Sequence, residues 1–521
     1  MKPTSFACLA LVLLPLVGGV ANAQAPPKPR PAARALNLFS SPLSEKALTG
    51  NRVFCGVNNV GELCVDPTNS PVVGGGFWPR GTPDQYIFNS GLQVAGIIPA
   101  SASFAWAGDT VGAYFMDGRA TQVHGDPLTA LFDSRDSIDL ATWPVAAMVQ
   151  DTSIFGARYL GRSAVSEQDL WTRYWDGNPD FLNGRTHPAG LLIDQRAVAW
   201  TYPEGNQDIV YFVFTLYNVT ARTASVYANP TIPPALQSEI AALGARFQDS
   251  SEARLSVAIP DGGYAIESLY VQTYMDADVG DAGSNYGTAV LPLGTAIAYK
   301  SDFSEPNWTF PPEIYGRRPF AAAPGLVGAT FVGRDVAMFS TYTGTPNGHP
   351  DPVGVIQLWR YLSGNFGPAD APCTRLPKVD HVCFLDQSLG DERVSISISL
   401  STLAPGEAKT LVLAYVFAAP LDTVNAYVGG DLKPGIPFTG DSIAADTTRL
   451  RAIDRVAGWV TQNDANANGR IEADEVTTVP QSLLGKVQLA QAIVRNKFAL
   501  PAPPEPPTFF VIPGDNQVSV V

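Results

Sequence analysis

Two pairs of strand-like segments constrain the fold of this chain most. Residues 208–220 form a continuous run rich in β-branched and aromatic side chains, and a short turn separates them from residues 198–202. Residues 393–401 alternate polar and apolar side chains, and a Pro-Gly turn separates them from the apolar run 409–417. Such runs are typical of strands with one or both faces buried. Because short turns join antiparallel neighbours, we predict a mainly β fold built from antiparallel β-sandwich domains.

The composition favours a large folded core. Of the 521 residues, 45% are hydrophobic and only 16% are charged, whereas disordered chains are poor in apolar residues. The net charge of −14 comes without a basic cluster, so nucleic acid and anionic lipid are poor partners. The length gives two or three domains as the starting expectation.

Helical spacing of apolar residues appears in two regions. Residues 236–247 carry it after a Pro-Pro pair, which predicts a helix between strands. Beyond residue 441, residues 450–460 and 483–498 each place apolar side chains on one helical face. We therefore predict a C-terminal helical pair that flanks residues 464–475.

Residues 464–475 read DANANGRIEADE and have the spacing of an EF-hand calcium loop. Side-chain oxygens stand at positions one, three, five and twelve, and glycine stands at position six. The alternative is a solvated Asn-Gly turn. Residues 476–480 should already be helical in an EF-hand and the hand is single, which favours a static clip over a sensor. The predicted calcium ligands are Asp464, Asn466, Asn468, the backbone carbonyl of Arg470, and Glu475.

A second acidic loop follows the predicted strand 266–275. Asp276, Asp278 and Asp281 precede Asn285 within ten residues. No standard loop pattern fits them, so two interpretations stay open, a shared calcium ion or a solvated turn.

The first 23 residues have the features of a secretory signal. Lys2 precedes an apolar stretch, and Ala-Asn-Ala at 21–23 is a small-x-small cleavage site. A transmembrane anchor is the rival interpretation, but the apolar run is short for one. We expect a secreted or cell-surface protein with no transmembrane segment in the mature chain.

Four cysteines follow the signal, and three pairings are possible. Two local bridges, Cys55–Cys64 and Cys373–Cys383, need the least ordering and suit an oxidising compartment. A tetrathiolate zinc site is the runner-up, although the C-x-x-C spacing is missing.

These segments predict the following organisation: a signal peptide at 1–23, a Pro/Ala-rich leader at 24–40, an N-terminal β-rich region at 41–190, a β-sandwich region at 191–425, a helical segment with the calcium loop at 426–499, a Pro-rich spacer at 500–507, and the start of a further β module at 508–521. That last segment reads as strand, turn and strand without a terminator. We therefore expect the chain to continue into a longer protein, with this segment loosely packed.

Four stretches carry a family resemblance: GGGFWPRGTPDQYIFNSGLQVAG, AVAWTYPEGNQDIVYFVFTLYNVT, YMDADVGDAGSNYG and LAPGEAKTLVLAYVFAAP. They resemble a group of large, uncharacterised secreted bacterial proteins with β-sandwich domains, which often carry fibronectin type III-like modules after a Pro-rich spacer. The resemblance implies an extracellular or envelope location. It also implies that residues 508–521 begin a fibronectin type III-like module.

No catalytic signature stands out. The four histidines (His124, His187, His349 and His381) form no H-E-x-x-H motif, and no G-x-S-x-G elbow is present. The nine tryptophans, Trp106, Trp143 and Trp200 among them, are expected mainly in cores. The preferred function is a secreted, calcium-binding, non-catalytic surface, matrix or adhesion protein, whose partners would be cell-surface components or glycans. The alternative is a secreted polysaccharide-acting hydrolase with an unidentified carboxylate pair.

Overall fold

The computed structural model describes these residues: 41–66, 73–116, 125–144, 152–159, 162–228, 230–300, 325–343, 349–367, 370, 381–385, 389–421, 432, 451–462, 464–500, 511–514 and 517–520. The predicted signal peptide, the leader and the Pro-rich spacer from Pro501 onward lie outside these ranges, as do His124 and Cys373.

The strands are numbered in chain order: β1 Glu45–Leu48, β2 Phe54–Asn58, β3 Val65–Asp66, β4 Val73–Gly74, β5 Gly76–Phe77, β6 Gln85–Ile87, β7 Asn89–Ile97, β8 Thr110–Tyr114, β9 Asp126–Pro127, β10 Phe132–Asp133, β11 Gln168–Trp175, β12 Leu191–Ala199, β13 Ile209–Asn218, β14 Ile266–Ala277, β15 Asn285–Val290, β16 Thr295–Lys300, β17 Leu326–Phe331, β18 Met338–Thr343, β19 Val382–Phe384, β20 Glu392–Leu403, β21 Ala408–Ala418, β22 Trp459–Gln462, β23 Val476–Thr478, β24 Val511–Gly514 and β25 Gln517–Val520.

Helices are fewer. The α-helices are α1 Ser137–Thr142, α2 Thr152–Phe155, α3 Pro234–Leu255, α4 Gly354–Ser363, α5 Ala452–Val456 and α6 Leu483–Arg495. Short 3₁₀ turns span Ala157–Tyr159, Asn206–Asp208, Ala224–Tyr227, Leu291–Leu293 and Ala473–Glu475. None of the described helices has both the length and the apolar character needed to cross a membrane.

Two large sheets form the body of the protein. The nine-stranded sheet has the order β10-β11-β12-β13-β21-β17-β16-β15, with β9 also beside β11. The six-stranded sheet has the order β19-β18-β20-β14-β7-β8, and only its β18–β19 pair is parallel. The predicted mainly antiparallel β fold is confirmed. The predicted regions 41–190 and 191–425 contribute strands to both of these sheets.

Strand β13 shows why its sequence does not alternate. It pairs along most of its length with β12 on one side and β21 on the other. Phe212 and Phe214 enter the core that the two large sheets share, together with Val271 and Ile396 of the six-stranded sheet. Tyr211, on the opposite face, enters a second core. This second core lies beneath the C-terminal segment, residues 451–500. Both faces are therefore apolar because both are buried.

The C-terminal segment covers the outer face of the nine-stranded sheet. Helix α6 packs Leu483, Leu484 and Val487 into the second core, and the Ser482 side chain caps it by accepting a hydrogen bond from the Gly485 backbone N–H at 3.0 Å. The predicted second helix is confirmed by α6, although it ends at Arg495.

The predicted helix leading into residue 464 is wrong. Helix α5 ends at Val456, and the chain continues as strand β22, which pairs with β23. Gly458 has a φ of 103°, which a right-handed helix excludes. After that break Trp459 is buried and Val460 is exposed, as in a strand. Residues 464–475 therefore lie between two paired strands, where the sequence predicted two helices.

Two smaller predictions concern the cysteines and the chain end. The Cys55–Cys64 disulfide is present, so this bridge is confirmed. The pair Cys373–Cys383 stays a prediction because Cys373 lies outside the described residues. Strands β24 and β25 form an antiparallel pair, which matches the two predicted strands.

Candidate cation sites

The loop 464–475 is organised by the carboxylate at its first position. The two oxygens of Asp464 accept hydrogen bonds from the backbone N–H groups of Asn468, at 3.1 Å, and Gly469, at 2.9 Å. Gly469 has a φ of 84°, in the left-handed region that glycine tolerates. The sharp turn expected at position six of a calcium loop is therefore present.

The carboxylate at position twelve closes the loop. One oxygen of Glu475 accepts the backbone N–H groups of Ala465, at 2.8 Å, and Asn466, at 3.3 Å. Its other oxygen accepts the Glu472 backbone N–H at 3.1 Å. Hydrogen bonds from Glu472 and from Ala465 and Asn466 lower the pKa of Glu475, because they favour the charged carboxylate.

The side chains of Asn466 and Asn468 also accept hydrogen bonds from the loop backbone. The side-chain oxygen of Asn466 accepts the Asn468 backbone N–H at 3.0 Å, and that of Asn468 accepts the Arg470 backbone N–H at 2.8 Å. These side chains are thus turned back over the loop backbone. Each of the four predicted side-chain ligands thus accepts hydrogen bonds from backbone N–H groups of the loop, and Arg470 stands at position seven, which in EF-hands offers its carbonyl.

Sequence reasoning missed one member of this loop. The carboxylate of Glu472 accepts hydrogen bonds from the side-chain amides of Asn466, at 3.3 Å, and Asn468, at 2.7 Å. Glu472 occupies position nine, which in EF-hands often reaches calcium through a water molecule. That position was the signal that could have found it.

A second acidic cluster lies where β14 and β20 meet the loops at one end of the six-stranded sheet. Asp276 is the last residue but one of β14, Asp278 directly follows that strand, and Asp391 immediately precedes β20. One carboxylate oxygen from each lies within 4.8 Å of the others. The sequence predicted the first two residues as partners and missed Asp391, which is more than a hundred residues away along the chain.

Asp281, the third carboxylate predicted in this loop, is engaged elsewhere. It forms an ion pair with the buried ammonium of Lys300. It also accepts the Gly283 backbone N–H at 2.8 Å, and these contacts lower its pKa against the effect of burial. Asn285 closes the same loop by accepting the Val279 backbone N–H at 3.0 Å.

The guanidinium of Arg393 lies beside the cluster. Arg393 lies opposite Asp276 in the sheet, with its Nε atom 3.6 Å from a carboxylate oxygen of that residue, and it donates to Asp391 at 2.9 Å. Burial nevertheless raises the pKa of Asp276 to about 8, although Arg393 opposes the shift. Burial and the nearby Asp391 raise the pKa of Asp278 to about 6. The three carboxylates therefore lie close enough together for each to disfavour ionisation of the others.

The described histidines serve structural contacts. His187 stacks on Trp106 with ring centroids 4.1 Å apart, and His381 contacts the Ala337 carbonyl at 2.9 Å. His349 is fully buried between Tyr342 and Tyr361, and burial lowers its pKa to about 4. As predicted for core tryptophans, Trp106, Trp143 and Trp200 are buried.

Comparisons with known proteins give no family. The chain matches no described protein family and no curated protein. Among solved structures, it is similar to an amine oxidase of Aspergillus nidulans with 7% sequence identity and a TM-score of 0.23. That similarity covers 72% of this chain and 50% of the amine oxidase, so the chain spans about half the length of that protein. A likeness this weak carries no functional argument.

Proposed function

We propose that this protein is a secreted, calcium-binding, non-catalytic component of a cell surface or extracellular matrix. The observation that carries the proposal is the loop 464–475, where side-chain oxygens of Asp464, Asn466, Asn468 and Glu475 all accept hydrogen bonds from the loop backbone. Calcium prefers a set of six to eight oxygen ligands. These four side chains and the Arg470 carbonyl, with Glu472 through water, would supply such a set.

Calcium at this loop would act as a structural clip. The loop joins β22 to β23, and its residue Ile471 and the adjacent Val476 are buried in the core beneath the C-terminal segment. An ion that fixes the loop would therefore hold that segment against the nine-stranded sheet. Two amides replace carboxylates among the ligands, so we expect a weak affinity of about 10⁻⁴–10⁻³ M, as in extracellular modules.

The loop assignment is tested by thermal melting in EDTA and in millimolar calcium. Calcium at about ten times its dissociation constant should add roughly 1.4 kcal/mol of stability by mass action. Glu475→Gln removes the bidentate carboxylate and should lose most of this gain. Asp474→Asn is the matched control, because Asp474 is exposed in the same loop and is not at a ligand position. Equal calcium shifts in wild type and Glu475→Gln would contradict the assignment.

The binding role is a separate part of the proposal. A glycan array and binding to whole cells test whether the purified protein recognises glycans or cell-surface components, which would support an adhesion or matrix role. Turnover of a polysaccharide in an activity screen would instead support the hydrolase alternative. Secretion is tested by N-terminal sequencing of exported protein, which should begin at Gln24.

A further inference from the structure

We propose a second calcium site at the end of the six-stranded sheet, formed by Asp276, Asp278 and Asp391 with the side-chain amide oxygen of Asn89 as a further ligand. It is independent of the loop 464–475 and lies on other strands. Nothing in the sequence alone joins Asp391 or Asn89 to the acidic loop, because both come from other parts of the chain.

Asn89 provides the observation that points to a ligand. It lies directly opposite Asp276 on the neighbouring strand β7, and side chains of such cross-strand pairs project from the same face of the sheet. Asn89 is only 5% exposed, and its side-chain oxygen has no hydrogen-bond partner among the described residues. Buried polar oxygens are seldom left without a partner. A cation held by the neighbouring carboxylates would supply one.

Two of the three carboxylates also have a buried oxygen that lacks a hydrogen-bond partner among the described residues. These are one oxygen of Asp276 and one of Asp278. Within the described ranges, Arg393 forms ion pairs with Asp276 and Asp391. When all four groups are ionised, the three carboxylates and this guanidinium sum to a charge of about −2, which a divalent cation would balance.

The spacing fits calcium. Calcium–oxygen distances are about 2.3–2.6 Å, so oxygens on opposite sides of one ion are separated by about 4.6–5.2 Å. The three carboxylate groups offer oxygens within 4.8 Å of one another. Carboxylate and amide oxygens alone, without histidine or thiolate, favour a hard cation such as calcium over zinc or copper.

Calcium stoichiometry, measured by equilibrium dialysis of the mature chain against radioactive calcium, tests this site. Wild type should bind about two ions, and Asp278→Asn and Glu475→Gln should each lose one of them. The double variant should lose both. The matched control is Glu267→Gln, since Glu267 is exposed near the other end of the same strand, and it should bind as wild type does.

A second variant tests the same site by strengthening calcium binding instead of removing it. Asn89→Asp adds a fourth carboxylate, so it should lower the melting temperature in EDTA and bind calcium at this site about tenfold more tightly than wild type. If Asp278→Asn retains the wild-type stoichiometry, or if calcium leaves a protein with both Asn89→Asp and Glu475→Gln as unstable as it is in EDTA, the proposal is overturned. Loss of binding in Glu475→Gln concerns only the loop, so the two proposals fail separately.

Discussion

Replacing Lys486 by methionine should undock the C-terminal helix from the nine-stranded sheet. The Lys486 ammonium donates to a carboxylate oxygen of Asp208 at 2.8 Å and to the Phe417 carbonyl at 2.9 Å. The side chains are 4% and 2% exposed, so water cannot replace the lost partner. The other oxygen of Asp208 accepts the Trp78 indole N–H at 2.9 Å, and Arg52 lies 3.7 Å away.

The loss of folding free energy expected in Lys486→Met comes from the Asp208 carboxylate, which stays buried. Removing one partner of a buried ion pair costs about 3–5 kcal/mol when the other charge stays buried alone; the lower end of this range is expected here, because Arg52 remains 3.7 Å from Asp208. Burial lowers the pKa of Lys486 while Asp208 opposes that shift, as expected for an ammonium that depends on one partner. Lys486→Met with Asp208→Asn removes both charges and should recover much of the loss.

Hydrogen exchange of the amides in helix α6 is the assay. A loss of about 3 kcal/mol in the free energy of opening should speed their exchange at least a hundredfold. Arg495→Met is the control, because Arg495 is exposed on the same helix, and surface substitutions usually stay within about 0.5 kcal/mol. An exchange rate in Lys486→Met within threefold of wild type would refute the reasoning, as would a double variant less stable than Lys486→Met.

Two further predictions concern the bridge and a buried histidine. Serine at both Cys55 and Cys64 should cost about 2–3 kcal/mol, because the bridge closes a loop of about ten residues in the unfolded chain; a denaturation midpoint equal to that of wild type would contradict this. Burial lowers the pKa of His349 to about 4, so the folded state holds it neutral. Its contribution is fully present above about pH 6.5 and is lost as the pH falls towards 4, by roughly 3 kcal/mol. As the pH is lowered from 7 to 4, the unfolding free energy should therefore fall less steeply in His349→Phe than in wild type, and identical slopes would refute the assignment.

Local patterns predicted much of the sheet structure. Residues 208–220 and 393–401 became β13 and β20 because their side-chain order reports directly which faces are buried. The segment before the calcium loop was misread. Its apolar residues fit helical spacing, and the break at Gly458 depends on contact with the helix that follows, since a Cβ there would lie 2.0 Å from the Ser482 hydroxyl oxygen.

The two candidate sites also differ in how much of each could be predicted from the sequence. The loop 464–475 is contiguous, so its spacing was visible in the sequence, and in the structure its side chains bond to the loop's own backbone. The cluster at Asp276 was only half visible. Asp391 and Asn89 reach it through pairing of β20 and β7 with β14, and strand pairing between distant segments leaves no local sequence signal. The ion pair of Asp281 with Lys300 depends on another strand in the same way.

The most direct test of the account is a crystal structure of the mature chain grown in millimolar calcium. We predict an ion in the loop 464–475, bound by side-chain oxygens of Asp464, Asn466, Asn468 and Glu475 and by the Arg470 carbonyl, at about 2.3–2.6 Å. An ordered loop holding only water under those conditions would contradict the central claim.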